Sequence, residues 1–186
     1  GPWMEGSALV NAPGAAPPSW RNYVLGSLGA GGRAVFALDV TDTSNLGKST
    51  VRWEISSTTY ADLGYVTAPI EVGVLPNGEW VALFGNGNFS TAGKATLFVV
   101  NLQTGVAQTL DVETAGSNGL GGVGVARNGS GQITTLFAGD LKGNVWKFDY
   151  SGSASSRFVV SGGAAFFTAA HTDAAPQPIT QAPILF

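Results

Sequence analysis

Asn144-Val145-Trp146-Lys147-Phe148-Asp149-Tyr150 is a short apolar stretch that follows a glycine turn and carries an Asp near its end. Two rough copies precede it: Ala34-Val35-Phe36-Ala37-Leu38-Asp39-Val40 and Thr96-Leu97-Phe98-Val99-Val100-Asn101-Leu102. Each reads as a strand. Recurrence at roughly 50 to 60 residues is the spacing of blades in a β-propeller. The run into the last copy, Phe137-Ala138-Gly139-Asp140-Leu141-Lys142-Gly143, reads as strand then tight turn. Asp140 suits a turn cap that accepts hydrogen bonds from backbone amides, and Gly143 suits a positive φ. Trp146 is expected to fill the gap between blades.

Working outward, four strands fit each repeat. They are expected at 7–10, 21–28, 33–40 and 51–56, then at 65–75, 79–85, 94–102 and 107–112, then at 122–126, 132–138, 144–150 and 157–160. The runs are rich in Val, Ile, Phe and Thr and are bounded by Gly, Asn, Pro or Ser. Pro76-Asn77-Gly78 and Asn128-Gly129-Ser130-Gly131 are hairpin turns. No stretch keeps a helical period over eleven residues. Ile179-Thr180-Gln181-Ala182-Pro183-Ile184 echoes Tyr65-Val66-Thr67-Ala68-Pro69-Ile70 at the start of the second repeat. The expected fold is therefore all-β: a partial propeller of about three four-stranded antiparallel blades (6–60, 61–118 and 119–175), plus the first strand of a fourth at 179–186. Propellers close with four to eight blades. An arc of three leaves two open flanks, to be covered by more of the same chain or by a second copy. The Pro- and Ala-rich stretches 12–19 and 168–177 are expected to be loops.

Composition narrows the function. Hydrophobic residues make up 44% of the 186 and charged residues 11%, against about a quarter in ordinary domains. The 27 glycines and 9 prolines account for much of that gap, because turns displace charged helices. A net charge of −3 with nine scattered Lys and Arg argues against nucleic acid. With no cysteine there is no disulfide, thiolate nucleophile or Cys-ligated zinc. No apolar run reaches the ~18 residues of a membrane span. Gly1-Pro2 reads as the remnant of a cleaved tag, so the chain is expected to be a piece of something longer.

Catalytic signals are weak. Gly29-Ala30-Gly31-Gly32 and Gly85-Asn86-Gly87-Asn88 lead into strands, whereas a phosphate loop leads into a helix N-terminus. His171, the single histidine, lies in an Ala/Pro-rich loop with no nucleophile elbow nearby. Asp39, Asp42 and Asp149 sit at turn positions, where capping is the simpler role. Val99-Val100-Asn101-Leu102-Gln103-Thr104-Gly105 resembles the strand-plus-turn element of quinoprotein propellers. Trp53 follows the first copy at about the place where those repeats carry Trp, and Leu110 or a neighbour stands there in the second.

A longer resemblance runs along nearly the whole chain. Leu25-Gly26-Ser27-Leu28-Gly29-Ala30-Gly31-Gly32-Arg33 leads into Val35-Phe36-Ala37-Leu38-Asp39-Val40-Thr41-Asp42. Then come Trp80-Val81-Ala82-Leu83-Phe84-Gly85-Asn86-Gly87, the 137–149 segment and Pro176-Gln177-Pro178-Ile179-Thr180. In order and rough spacing these resemble the C-terminal propeller of the PilY/PilC type IV pilus proteins. The resemblance implies a pilus-biogenesis and tip-adhesin segment acting in pilus assembly, surface adhesion and twitching motility. It implies a location in the periplasm or at the cell surface, and no enzyme. Implied partners are minor pilins or the pilus tip, and the rest of its own propeller, with dimerisation through open blade flanks as a further option. The family often carries a calcium loop just before the segment matching 137–149. The corresponding positions here are Ala126, Asn128, Ser130 and Thr134, which hold no carboxylate. Calcium affinity follows charged oxygen count, so neither calcium nor another cofactor is expected. Trp20, Tyr60, Tyr65 and Phe89 are the candidate partner contacts, since aromatics dominate interface centres. A quinoprotein-like dehydrogenase propeller and a periplasmic scaffold propeller remain the alternatives.

Overall fold

A computed structural model describes residues 1–10, 17–114, 116–169 and 175–185. Three four-stranded antiparallel sheets follow one another along the chain. The first holds β1 (Trp3–Val10), β2 (Ser19–Ser27), β3 (Ala34–Asp39) and β4 (Val51–Ser56). The second holds β5 (Glu71–Val74), β6 (Trp80–Gly85), β7 (Ala95–Asn101) and β8 (Ala107–Glu113). The third holds β9 (Leu120–Arg127), β10 (Ile133–Asp140), β11 (Asn144–Tyr150) and β12 (Phe158–Val160). Within each sheet the strands lie in sequence order, as in a propeller blade.

Two apolar cores lie between the three blades. Tyr23, Leu25, Val35, Trp53 and Ile55 of blade one meet Ala82, Phe84, Phe98 and Val100 of blade two. Val81, Leu83, Leu97 and Val99 of blade two meet Val123, Leu136, Trp146 and Phe148 of blade three. Adjacent residues of β6 and β7 thus point into different cores. That is why Leu97 to Val100 reads as a continuous apolar run rather than an alternating one. In β11 only Trp146 and Phe148 are buried, and the alternation shows a blade covered on one face.

Some expected elements differ. Strand β1 starts at Trp3, not 7, because β2 is long enough to pair back to Trp3 opposite Gly26. The strand expected at 65–75 is regular only as β5 (Glu71–Val74). Ahead of it, Tyr65 makes an isolated bridge to Asn88, and the Val66 carbonyl accepts the Ser27 hydroxyl at 2.6 Å. Pro69 adds no N–H to a ladder. The echoing stretch behaves alike: it runs extended across β9, with the Gly122 amide donating to Thr180 O and the Ile179 amide to Asp140 O. No sequence signal marked β13 (Phe167–Thr168), which takes up the β11 edge where β12 leaves it. Most of loop 12–19, part of loop 168–177, His171 and Phe186 lie outside the described residues.

Candidate functional site: a strained aromatic loop over a buried polar seam

A buried polar residue stands at the end of the second strand of every blade: Ser27 and Asp140 close β2 and β10, and Asn86 directly follows β6. Each contacts the chain entering the next blade. The Ser27 hydroxyl donates to Val66 O. Asn86 Oδ1 accepts the Leu120 and Thr96 amides, while its Nδ2 donates to Asp62 O and Lys94 O. The Asp140 carbonyl accepts the Ile179 amide. Gly85 and Gly87 belong to the same seam. A Cβ on Gly85 would lie 2.1 Å from Gly121 O, so only a bare backbone lets blades two and three meet there.

Asp140 is fully buried, and its carboxylate serves five donors. Oδ1 accepts the amides of Lys142 and Asn144, each at 2.9 Å. Oδ2 accepts Asn118 Nδ2, Asn144 Nδ2 and Trp146 Nε1. Trp146 lines the core between blades two and three. Gly143 closes the turn at φ +85°. Asn118, which sequence reasoning missed, ties the seam together, because its Oδ1 also accepts the Leu141 amide. Its signal was only an Asn-Gly pair before β9.

Above the seam, residues 86–94 join β6 to β7. The loop is pinned from within: Asn86 holds its base and the buried Ser90 hydroxyl accepts the Gly93 amide. At its tip Phe89 is 73% exposed and has φ +57°. A bulky side chain in the left-handed region costs about 1–2 kcal/mol. Ser117 is the other such non-glycine residue among those described, at φ +63°. Both line one cleft of about 400 Å³, together with Ser90, Thr91, Ala92, Asn118 and Leu141. On the other side Phe89 borders an apolar hollow made with Ala30, Tyr65, Thr67 and Asn88. Among the described residues no charged side chain lines either space. Strain of this kind collects at functional surfaces, where the surrounding structure imposes it.

The aromatic candidates therefore separate. Phe89 and Tyr65 converge, with the Arg33 guanidinium 5.0 Å from the Tyr65 ring centre and donating to Thr91 Oγ1. Trp20 is exposed but elsewhere, edge-on to Trp80 at 6.0 Å. Tyr60 is half-buried and packs edge-on against Phe98 of the first core. Ala126 and Thr134 are half-buried strand residues, while Asn128 and Ser130 are exposed on the β9–β10 turn. There Asn128 Oδ1 accepts the amides of Ser130 and Gln132, both at 3.0 Å. Asp39, Asp42 and Asp149 sit in separate local bonds, to Arg21 and Thr41, to Ser44, and to Lys147.

Two carboxyls show what burial does between blades. Burial pushes Glu71 upward, with Arg127 opposing. Burial also works to raise Glu79, but hydrogen bonds from Arg157 and Asn101 outweigh it and hold that carboxyl below its ordinary value. The Arg157–Glu79 pair clamps the approach to β12 onto blade two.

Blades stacked through glycine-lined seams, with an exposed aromatic at the tip of the loop above them, define part of a β-propeller. Comparison with known proteins agrees. Residues 4–186 match the profile of the PilY1 beta-propeller domain, and the chain belongs to that family. It is 36% identical over 204 aligned residues to the type IV pilus biogenesis factor PilY1 of Pseudomonas aeruginosa strain PAO1, covering 98% of this chain and 17% of that protein. It is 40% identical over 156 residues to a PilY1 homolog of Xylella fastidiosa, covering 77% of this chain and 11% of that one. The crystal structure of the Pseudomonas aeruginosa PilY1 C-terminal domain superposes with a TM-score of 0.83 at 36% identity, over 98% of this chain and 40% of that chain. The chain thus spans less than a fifth of the curated relatives it matches.

Proposed function

We propose that this chain is a non-enzymatic binding scaffold in type IV pilus assembly and that it engages a pilus subunit through the Phe89 loop. The observation that carries this reading is the convergence of Phe89 and Ser117, the two left-handed non-glycine residues among those described, on one cleft with no charged side chain among its described lining residues. An exposed aromatic on a loop already ordered loses little entropy on binding, and aromatics of this kind form interface hot spots. The partner is a minor pilin or another pilus-tip subunit. Surface adhesion and twitching motility follow from that assembly role, in the periplasm or at the cell surface. The uncovered faces of blades one and three pack against the rest of the same propeller, a second copy being the substitute. Neither calcium nor another cofactor takes part in the role assigned to this segment.

The test is a titration of purified pilus-tip subunits onto the immobilised protein. Phe89→Ser should weaken binding by about tenfold or more, the effect of removing a hot spot. Trp20→Ser, on a different surface, should leave binding unchanged. Equal binding by the native protein and Phe89→Ser would remove the loop from the account.

A further inference from the structure

Four Asn-Gly pairs occur in the chain, at 77–78, 86–87, 118–119 and 128–129. Such pairs can rearrange without an enzyme when the glycine nitrogen reaches the asparagine side-chain carbonyl. In two of them that nitrogen is held by a backbone carbonyl of another residue, and in the third it donates in a buried setting to the oxygen of its own asparagine rather than meeting Cγ. The Gly78 amide donates to Leu75 O and the Gly87 amide to Leu120 O, each at 2.9 Å. The Gly119 amide donates to Asn118 Oδ1. Asn86 and Asn118 are in addition fully or almost fully buried. Among the described residues only the Gly129 amide of the four makes no hydrogen bond.

The electrophile at that pair is prepared as well. Asn128 Oδ1 accepts two backbone amides, from Ser130 and Gln132, at 3.0 Å each. Two amides aimed at one carbonyl oxygen stabilise the charge that develops when the carbon is attacked. Arg127, next in the chain, donates to Gly131 O and Val72 O and places a cation at the base of the turn. Asn128 and Gly129 are exposed, and water reaches them freely. Asn77 has one such amide, that of Glu79.

We propose that Asn128 is a site of spontaneous deamidation, favoured over the other Asn-Gly pairs by the geometry of the β9–β10 turn. The Gly129 nitrogen loses its proton to solvent and bonds to Asn128 Cγ. The Cγ–Nδ2 bond breaks and ammonia leaves, giving a cyclic imide. Water then opens the ring at either carbonyl, leaving aspartate or isoaspartate. No electrons change hands, and water is the only co-reactant. The aspartate product keeps both amide contacts, gains Arg127 as a charged neighbour and adds one negative charge to the net −3. The isoaspartate product lengthens the main chain by a methylene in a turn whose register places Ile133 opposite Arg127.

The experiment ages the folded protein in mildly alkaline buffer at body temperature and maps peptides by mass. The 128–129 peptide should gain one mass unit and split into aspartate and isoaspartate forms. Its rate should exceed that of the 77–78 peptide roughly fivefold, the factor expected from not having to break one ordinary hydrogen bond. In denaturant the two rates should converge. A folded-state rate at Asn77 equal to or above that at Asn128 overturns the proposal, as does a ratio that persists in denaturant. Gly129→Ala should slow the change while leaving the circular dichroism of the hairpin intact.

Discussion

Replacing Asp140 tests whether the buried seam holds blade three to its neighbours. In Asp140→Ala the Trp146 indole N–H, the Asn118 amide and the backbone amides of Lys142 and Asn144 all lose their acceptor. Each buried donor left unpaired costs about 1–3 kcal/mol. Water admitted to the cavity offsets part of the sum, and neighbours in one network are not additive. The expected loss is about 4 kcal/mol, a large share of the ~5–15 kcal/mol that holds a typical domain. Asp140→Asn keeps the shape but turns an amide toward three N–H donors, and about 2 kcal/mol should go. Urea unfolding followed by tryptophan fluorescence reads both variants, with the slope unchanged if only the folded state has suffered. A loss below about 1 kcal/mol for Asp140→Ala would refute the reasoning, since no five-donor carboxylate can be that dispensable.

Three other outcomes follow from the same geometry. Gly85→Ala places a methyl 2.1 Å from Gly121 O, and thermal unfolding should show a loss of at least about 2 kcal/mol. Glu79 and Glu71 should give opposite pH profiles in urea midpoints. Glu79 is lowered, so its contribution is present above the ordinary 4.5 and fades as pH falls through its folded value; Glu79→Gln should cost stability at neutral pH and less in acid. Glu71 is raised, so its contribution is full below 4.5 and lost as pH rises; Glu71→Gln should stabilise at neutral pH and lose that gain in acid. Calcium added to the chelator-treated protein should leave its melting temperature unchanged, because the Asn128 turn is closed by its own amides and offers no carboxylate. A calcium-dependent rise would contradict that.

What the sequence showed and what it hid divide on physical lines. The inner strands of blade two, β6 and β7, were legible because burial on both faces makes Val81 to Phe84 and Leu97 to Val100 unmistakably apolar. The Asp140 turn was legible because its signal is local, an Asp followed by Gly and Asn within four residues. Asn118 was not, since its partner lies 22 residues away and only folding brings them together. The 65–70 stretch looked like a strand by composition, yet its Val66 carbonyl is taken by a hydroxyl from another blade. Short β13 exists only because β12 ends early and leaves the β11 edge open. The left-handed backbone at Phe89 carries no glycine to announce it. Tyr60 and Phe89 look alike as loop aromatics, and only packing separates the half-buried one from the exposed one.

The most direct test of the central claim puts Phe89→Asp into the full-length protein in its own cells and counts surface pili beside the amount of the protein. A charge on the uncharged cleft should block docking without touching either core. The account predicts normal levels of the protein with few or no extended pili. Normal piliation at normal protein levels would contradict it, and the Phe89 loop would then be a feature of the fold alone.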